Sequence, residues 1–212
     1  MDSTLDLYTW HTPNGKKPGI LLAELEVPYT LKLVDIGKND NKAPDFLRIN
    51  PNGKIPALVD RDPGLGELVV FESGAILVYL AEKYGRFLPK QAGGVRASVL
   101  SWTFWQVGGP GPMFGQLGYF GRTEPRNEGA YTRFFEESKR LASVLEAQLE
   151  GREYICTEYS IADMMNWPWF SGMAERIPEL LADTPRVRDW IARVGERPAV
   201  KSGAKFDTAS KT

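Results

Sequence analysis

The stretch spanning residues 50–85, NPNGKIPALVDRDPGLGELVVFESGAILVYLAEKYG, constrains the fold more than any other. Pro51-Asn52-Gly53 is turn chemistry: proline fixes φ, and Asn-Gly accepts positive φ. Residues 56–59 form a short apolar run, and the proline biases Ile55 to extended backbone. RDPGLG is a turn cluster, and LVVF at 68–71 is rich in β-branched residues. The two runs therefore predict an antiparallel hairpin. Ser73 reads as the N-cap of a helix that is apolar nearly all round and hence buried. Gly85 stands where a left-handed cap residue would end it.

Two features of this stretch bear on more than folding. A cis Ile55–Pro56 bond, a minority state of such bonds, would turn the chain sharply and leave the Ile55 backbone facing outward. Glu72-Ser73 gathers a carboxylate, a hydroxyl and free helix N–H groups. On these residues alone two readings stand. One is plain capping with a favourable dipole charge. The other is a binding spot for a ligand carrying both charges, its anion at the helix start and its cation at Glu72.

Upstream, LDLYT at 5–9 alternates as a strand, a helix is predicted from Pro13 to about Glu26, and YTLKLV at 29–34 reads as a second strand. Strand, helix, strand predicts a parallel pair with a right-handed crossover. Residues 35–44 read as loop and 45–49 as a short helical turn. Residues 86–95, with Pro89 and Gly93-Gly94, make the best domain boundary. Beyond it only helices are predicted. One spans 96–105 and is interrupted by Gly108-Gly109-Pro110-Gly111-Pro112. A long amphipathic one spans 124–150. Another starts at the box Ser160-Ile161-Ala162-Asp163, with Tyr159 and Met164 placed as a staple. The last spans 185–194. The tail from Lys201 is small and polar and is expected to fray.

Composition narrows the function classes. The net charge of −1 gives no electrostatic case for nucleic acid or an anionic membrane. No run approaches the ~18 apolar residues of a spanning helix. The first ten residues carry no signal-like segment, so a soluble cytoplasmic protein is expected. One cysteine excludes an internal disulfide and a CxxC pair, and with one histidine it leaves little for a metal site. Cys156 reads as a small buried hydrophobe. His11 reads as a loop residue, with general-base chemistry as the alternative. Trp102, Phe104, Trp105, Phe114, Tyr119 and Phe120 could line an apolar pocket, part of the cluster being core.

KIPALVD followed by FESGAILVYLAEKYG resembles the glutathione-binding half of the cytosolic glutathione transferases. The likeness covers essentially the whole chain. It implies a thioredoxin-like α/β N-terminal domain (1–86) and an all-α C-terminal domain (95–212) carrying the co-substrate pocket. It also implies that the Ile55 backbone, before a cis Pro56, pairs with the cysteinyl part of glutathione. Glu72 and Ser73 would hold the γ-glutamyl end. HTPNG in the first loop and WTFWQVGGPGPMFGQ at 102–116 resemble the nu class and its fungal prion-related relatives. In those proteins threonine and asparagine donate to the glutathione sulfur, which here means Thr12 and Asn14. From the loop alone Thr-Pro-Asn-Gly reads first as a turn and cap. Lys54 and Asn41 sit where that class contacts the glycyl end, and glutamine is commoner at the second position. Arg133 lies where a basic residue can reach glutathione, including across a dimer interface. The resemblance thus implies an enzyme using glutathione, reduced or as the disulfide. Its activity would be thiol–disulfide exchange, with a small-molecule thiol, disulfide or electrophile as partner substrate. The alternatives are conjugation of electrophiles and a non-catalytic glutathione-binding module. A homodimer is the family expectation.

Overall fold

β1 (Leu5–Thr9) buries every second residue, as its alternation predicts. The computed structural model to which it belongs describes residues 4–64 and 66–206. α1 (Pro13–Leu25) follows, with Thr12 as N-cap and Glu26 closing it in the left-handed region. β2 (Thr30–Leu33) runs parallel to β1, with Leu7 opposite Leu31. Two 3-10 turns occupy part of the segment expected as loop and lead to the short α2 (Pro44–Ile49). β3 (Ala57–Asp60), buried throughout, pairs antiparallel with β1 and with β4 (Leu68–Phe71), and the sheet order is β2-β1-β3-β4. α3 (Ser73–Tyr84) ends at Gly85 in the left-handed conformation. α1 and α3 pack on each other and on the sheet, burying Ile20, Leu21, Leu22, Ile76, Leu77 and Leu80. This is the thioredoxin-like arrangement.

One local expectation is corrected. Ser73 does not cap α3; it is the helix's first residue, and Glu72, at φ 74°, holds the cap position without a side-chain cap bond. The Ser73 hydroxyl lies instead within reach of a buried lysine described below.

The remaining elements are helical: α4 (Gly94–Gly108), α5 (Pro110–Phe120), α6 (Glu128–Gln148), α7 (Ile161–Arg176) and α8 (Pro185–Gly195). Gly109 alone separates α4 from α5; a Cβ there would stand 2.9 Å from the Trp105 carbonyl oxygen. α6 starts later than the sequence pattern suggests. Pro125 disfavours helical backbone at Glu124, and the Asn127 side chain caps the helix by accepting from Ala130 N–H. Phe170 sits at the centre of this unit's core, with Phe114, Trp105 and Trp190 rings around it.

The start of α7 forms the capping box that S-x-x-D predicts. Asp163 is fully buried, and its carboxylate accepts from Ile155 N–H and Ser160 N–H at 3.0 Å and from the Trp190 indole at 2.9 Å. Burial pushes its carboxyl up to about 6 against the pull of those bonds.

The chain divides into two compact units: Phe87–Glu196, and the residues up to Arg86 together with those from Arg197 on. The second part of the latter was unexpected. Lys201 lies not in a frayed tail but in α9 (Pro198–Gly203), which packs on α1. A Cβ on Gly203 would meet the Gly19 carbonyl oxygen at 2.4 Å, so only glycine permits this approach. Arg197 adds a fork to both oxygens of Glu24, at 2.7 and 3.0 Å. The rest of the expected tail, 207–212, lies outside the described residues.

Asp163→Ala strands three buried donors, each costing about 1–3 kcal/mol. A urea-unfolding free energy lower by roughly 3 kcal/mol or more is expected. Asp163 keeps its proton to higher pH folded than unfolded, so its contribution to stability grows as pH falls through about 6. The stability of the wild type relative to Asp163→Asn should therefore improve between pH 7 and pH 5.

Candidate active site

The sheet register brings three separated segments to one end. Tyr8 stands opposite Ala57, and Ala57 opposite Phe71. The loop leaving β1, the Ile55–Pro56 pair entering β3 and the Glu72-Ser73 pair leaving β4 are therefore neighbours. The Ile55–Pro56 bond is cis. α1 and α3 both begin at this end, so two sets of unpaired helix N–H groups and two positive dipole ends converge there. Such a place favours an anion.

The first loop is built tightly. The Thr12 hydroxyl oxygen accepts from Gly15 N–H at 3.1 Å, which is the cap reading; its own O–H remains a donor. The buried Thr9 hydroxyl donates to the Gly15 carbonyl at 2.9 Å. A side chain at Gly15 has no room, since its Cβ would lie 2.0 Å from the Trp10 carbonyl oxygen. Asn14 Oδ1 accepts from Lys17 Nζ at 2.7 Å. Lys17 is 1% exposed, and its Nζ also reaches Ser73 Oγ at 3.4 Å. Burial holds its pKa well below the usual lysine range, while the nearby Glu72 carboxylate opposes that shift. The sequence reading missed Lys17. It is the second of two lysines, one helical turn past Asn14, and that spacing was the available signal. Lysines are almost always exposed, so residue type hid it.

The other candidates occupy distinct places. Glu72 is exposed, on backbone that non-glycine residues seldom adopt, whereas Ser73 beside it is buried. Ile55 packs its side chain against Val34, Phe46 and Ala57. Lys54 is exposed, its carbonyl taken by Asn50 Nδ2 at 2.6 Å. Asn41 donates its amide to the Gly53 carbonyl at 2.7 Å, alongside Lys42 Nζ at 2.9 Å, and so braces the turn before Lys54. Arg133 belongs to the helical unit. It is exposed on α6 and lines a hollow of about 770 Å³ with Met113, Phe134, Glu136, Glu137 and Arg140.

The remaining reactive types have ordinary surroundings. His11 is exposed, its ring 5.1 Å from that of Trp10 and 5.7 Å from that of Phe206. Cys156 is buried, with its sulfur 3.6 Å from Ser98 Oγ, and burial pushes its thiol pKa up. Of the aromatic cluster, Phe114 is fully buried and Trp102 and Trp105 are half-buried, whereas Phe104 and Tyr119 are exposed. Among the described residues no group of His, Cys, Asp or Glu could hold a metal ion, and no helix is long and apolar enough to cross a membrane.

The chain belongs to the glutathione S-transferase family. Residues 3–82 match the glutathione S-transferase N-terminal domain and residues 112–198 the C-terminal domain. It is similar to the disulfide-bond oxidoreductase YfcG of Escherichia coli, 46% identical over 92% of each chain. It is also similar to the disulfide-bond oxidoreductase YghU of the same organism, at 41% identity over 94% of this chain and 73% of that one. Among solved structures, a glutathione transferase family member from Pseudomonas fluorescens with two glutathiones bound superposes with a TM-score of 0.92 at 38% identity, covering 97% of this chain and 94% of that one. A Pseudomonas putida glutathione transferase with one glutathione disulfide per subunit gives 0.91 at 40% identity, over 96% and 92% of the two chains.

Gly15→Ala should disturb the loop whatever the ligand. Overpacking of this kind costs about 1–3 kcal/mol or more. A lower melting temperature is expected, and the survivors should lose affinity for any anion bound at the start of α1.

Proposed function

We propose that the chain is an enzyme that binds glutathione at this end of the sheet and reduces disulfides with it. The observation that carries the reading is the meeting of the Thr12–Asn14 loop, the cis Ile55–Pro56 pair and Glu72-Ser73 beside two helix starts. The cysteinyl backbone of glutathione would add as a further strand beside Ile55, where the β3 ladder begins at Ala57. Its γ-glutamyl ammonium suits the exposed Glu72 carboxylate. Its γ-glutamyl carboxylate suits Ser73 and the start of α3. Lys54 would face the glycyl carboxylate, with Asn41 holding the turn beside it. Arg133 enters the reading from the family resemblance, and the helical unit is assigned the pocket for the second substrate.

The chemistry needs a thiolate, and the chain supplies none of its own: its one cysteine is buried, with its thiol pKa raised. Thr12 O–H and the Asn14 amide would donate to the sulfur of glutathione at the positive end of α1, which favours the thiolate over the thiol. That sulfur would attack one sulfur of the substrate disulfide. A new S–S bond forms, the old one breaks with its electron pair on the departing thiolate, and water protonates that thiolate. Attack by a second glutathione on the mixed disulfide yields glutathione disulfide and the other substrate thiol. Two glutathiones are oxidised as one disulfide is reduced.

Turnover of a mixed disulfide with glutathione should exceed conjugation of a chlorodinitrobenzene-type electrophile by a wide margin; the reverse order would make conjugation the main activity. A hydrogen bond to a charged group is worth about 1.5–3 kcal/mol, so Asn14→Ala should lower disulfide turnover about 10- to 100-fold. Turnover is compared on the folded fraction, because Asn14→Ala also removes an acceptor from the buried Lys17 ammonium. A chain that binds no glutathione in calorimetry would refute the reading.

We also infer a cytoplasmic homodimer. Phe104 and Val107, one helical turn apart on α4, and Tyr119 on α5 are exposed at 60%, 43% and 57%, which supports burial against another copy. Sedimentation should give twice the chain mass, and Phe104→Glu should shift it toward the monomer.

A further inference from the structure

Lys17 takes no part in the disulfide exchange, yet it is the most deeply buried charge-bearing side chain near the site. Among the largest fully buried side chains it is the one lysine amid aromatic and aliphatic groups, at 1% exposure. Burying an ammonium is costly unless acceptors surround it. Asn14 Oδ1 accepts from it at 2.7 Å and Ser73 Oγ at 3.4 Å, and the Glu72 carboxylate acts on it electrostatically. Further along α1 the Glu24 carboxylate is paired with Arg197. Lys17 thus touches a group assigned to the sulfur end of glutathione and one assigned to its γ-glutamyl end.

An asparagine amide has two faces, an acceptor oxygen and a donor NH2. Fixing one fixes the other. An ammonium at Oδ1 holds the oxygen inward, because the reverse flip would set NH2 against Nζ. Resting on the glutathione reading above, we propose that Lys17 is a positioning residue that locks the Asn14 amide with its NH2 presented to the glutathione sulfur and ties that group to Ser73. Lys17→Met removes the ammonium that opposes the reversed amide, the orientation that sets an oxygen lone pair against a thiolate.

A double-mutant cycle on the full-length enzyme tests this. Lys17→Met keeps much of the length and apolar stem but removes the donors. It should lower disulfide turnover about tenfold in the wild-type background and less than twofold in the Asn14→Ala background, since the group through which it acts is then gone. Losses that simply multiply would overturn the proposal, because Lys17 would then act on turnover by a route that does not pass through Asn14. The unaltered chain offers a second measurement should Lys17→Met fail to fold. In the glutathione complex the Asn14 side-chain NH2 should show nuclear Overhauser contacts to the cysteinyl β-protons; an assigned NH2 without them would overturn the proposal. If the wild type binds no glutathione, this inference and the functional reading fall together. If it binds and turns over disulfides but the losses multiply, only this inference falls.

Discussion

The double antiparallel pairing of β3 is the constraint on which the rest of the first unit depends. A slip of one residue would send its side chains to the opposite face. Leu58 and Val59 lie buried in the sheet, and Asp60 closes the strand. The Asp60 carboxylate accepts from Tyr79 O–H and from Lys83, both on α3, and from Asp62 N–H. Burial works against its ionised form, but these bonds and the lysine charge hold its carboxyl below the ordinary range. The far end of β3 is thereby clamped to α3, and the near end, with Ile55–Pro56, is fixed beside Thr9 and Glu72. The position of the candidate site follows from a strand buried along its whole length.

Charge at that end of the sheet is arranged asymmetrically. Two helix starts and a buried ammonium lie beneath, and the exposed carboxylate of Glu72 stands at the rim. A ligand with separated positive and negative groups suits this pattern better than a simple anion does. Fold alone does not fix chemistry. The buried cysteine in the other unit matters as much as the helix starts, because it leaves the thiol to be brought in by the substrate.

Much of this was legible in the sequence because local rules agree there. Alternation in LDLYT, the proline at the start of α1, Gly85 and the S-x-x-D box each point to a single backbone state, and the structure has it. The misreadings came where a tertiary contact overrides a local preference. Ser73 is a good cap by type, but its hydroxyl sits beside Lys17 and the cap position falls to Glu72. Lys17 was missed because burial of an ammonium depends on acceptors drawn from two helices, Asn14 and Ser73. Asn41 reads as a contact to a ligand's end group; the structure adds its bond to the Gly53 carbonyl, a pairing across a dozen residues that no spacing rule announces. α9 was lost in a polar tail because its docking rests on glycines at 19 and 203, remote in sequence.

The return of α9 to α1 has a consequence for biosynthesis. The first unit packs its opening helix against residues that follow the entire helical unit in the chain and are synthesised after it. Its sheet can form early, but the Gly19 surface of α1 stays open until Gly203 and Phe206 arrive. Domains generally fold in order of synthesis. Here the unit that emerges first is completed last, so α9 works as a latch on α1.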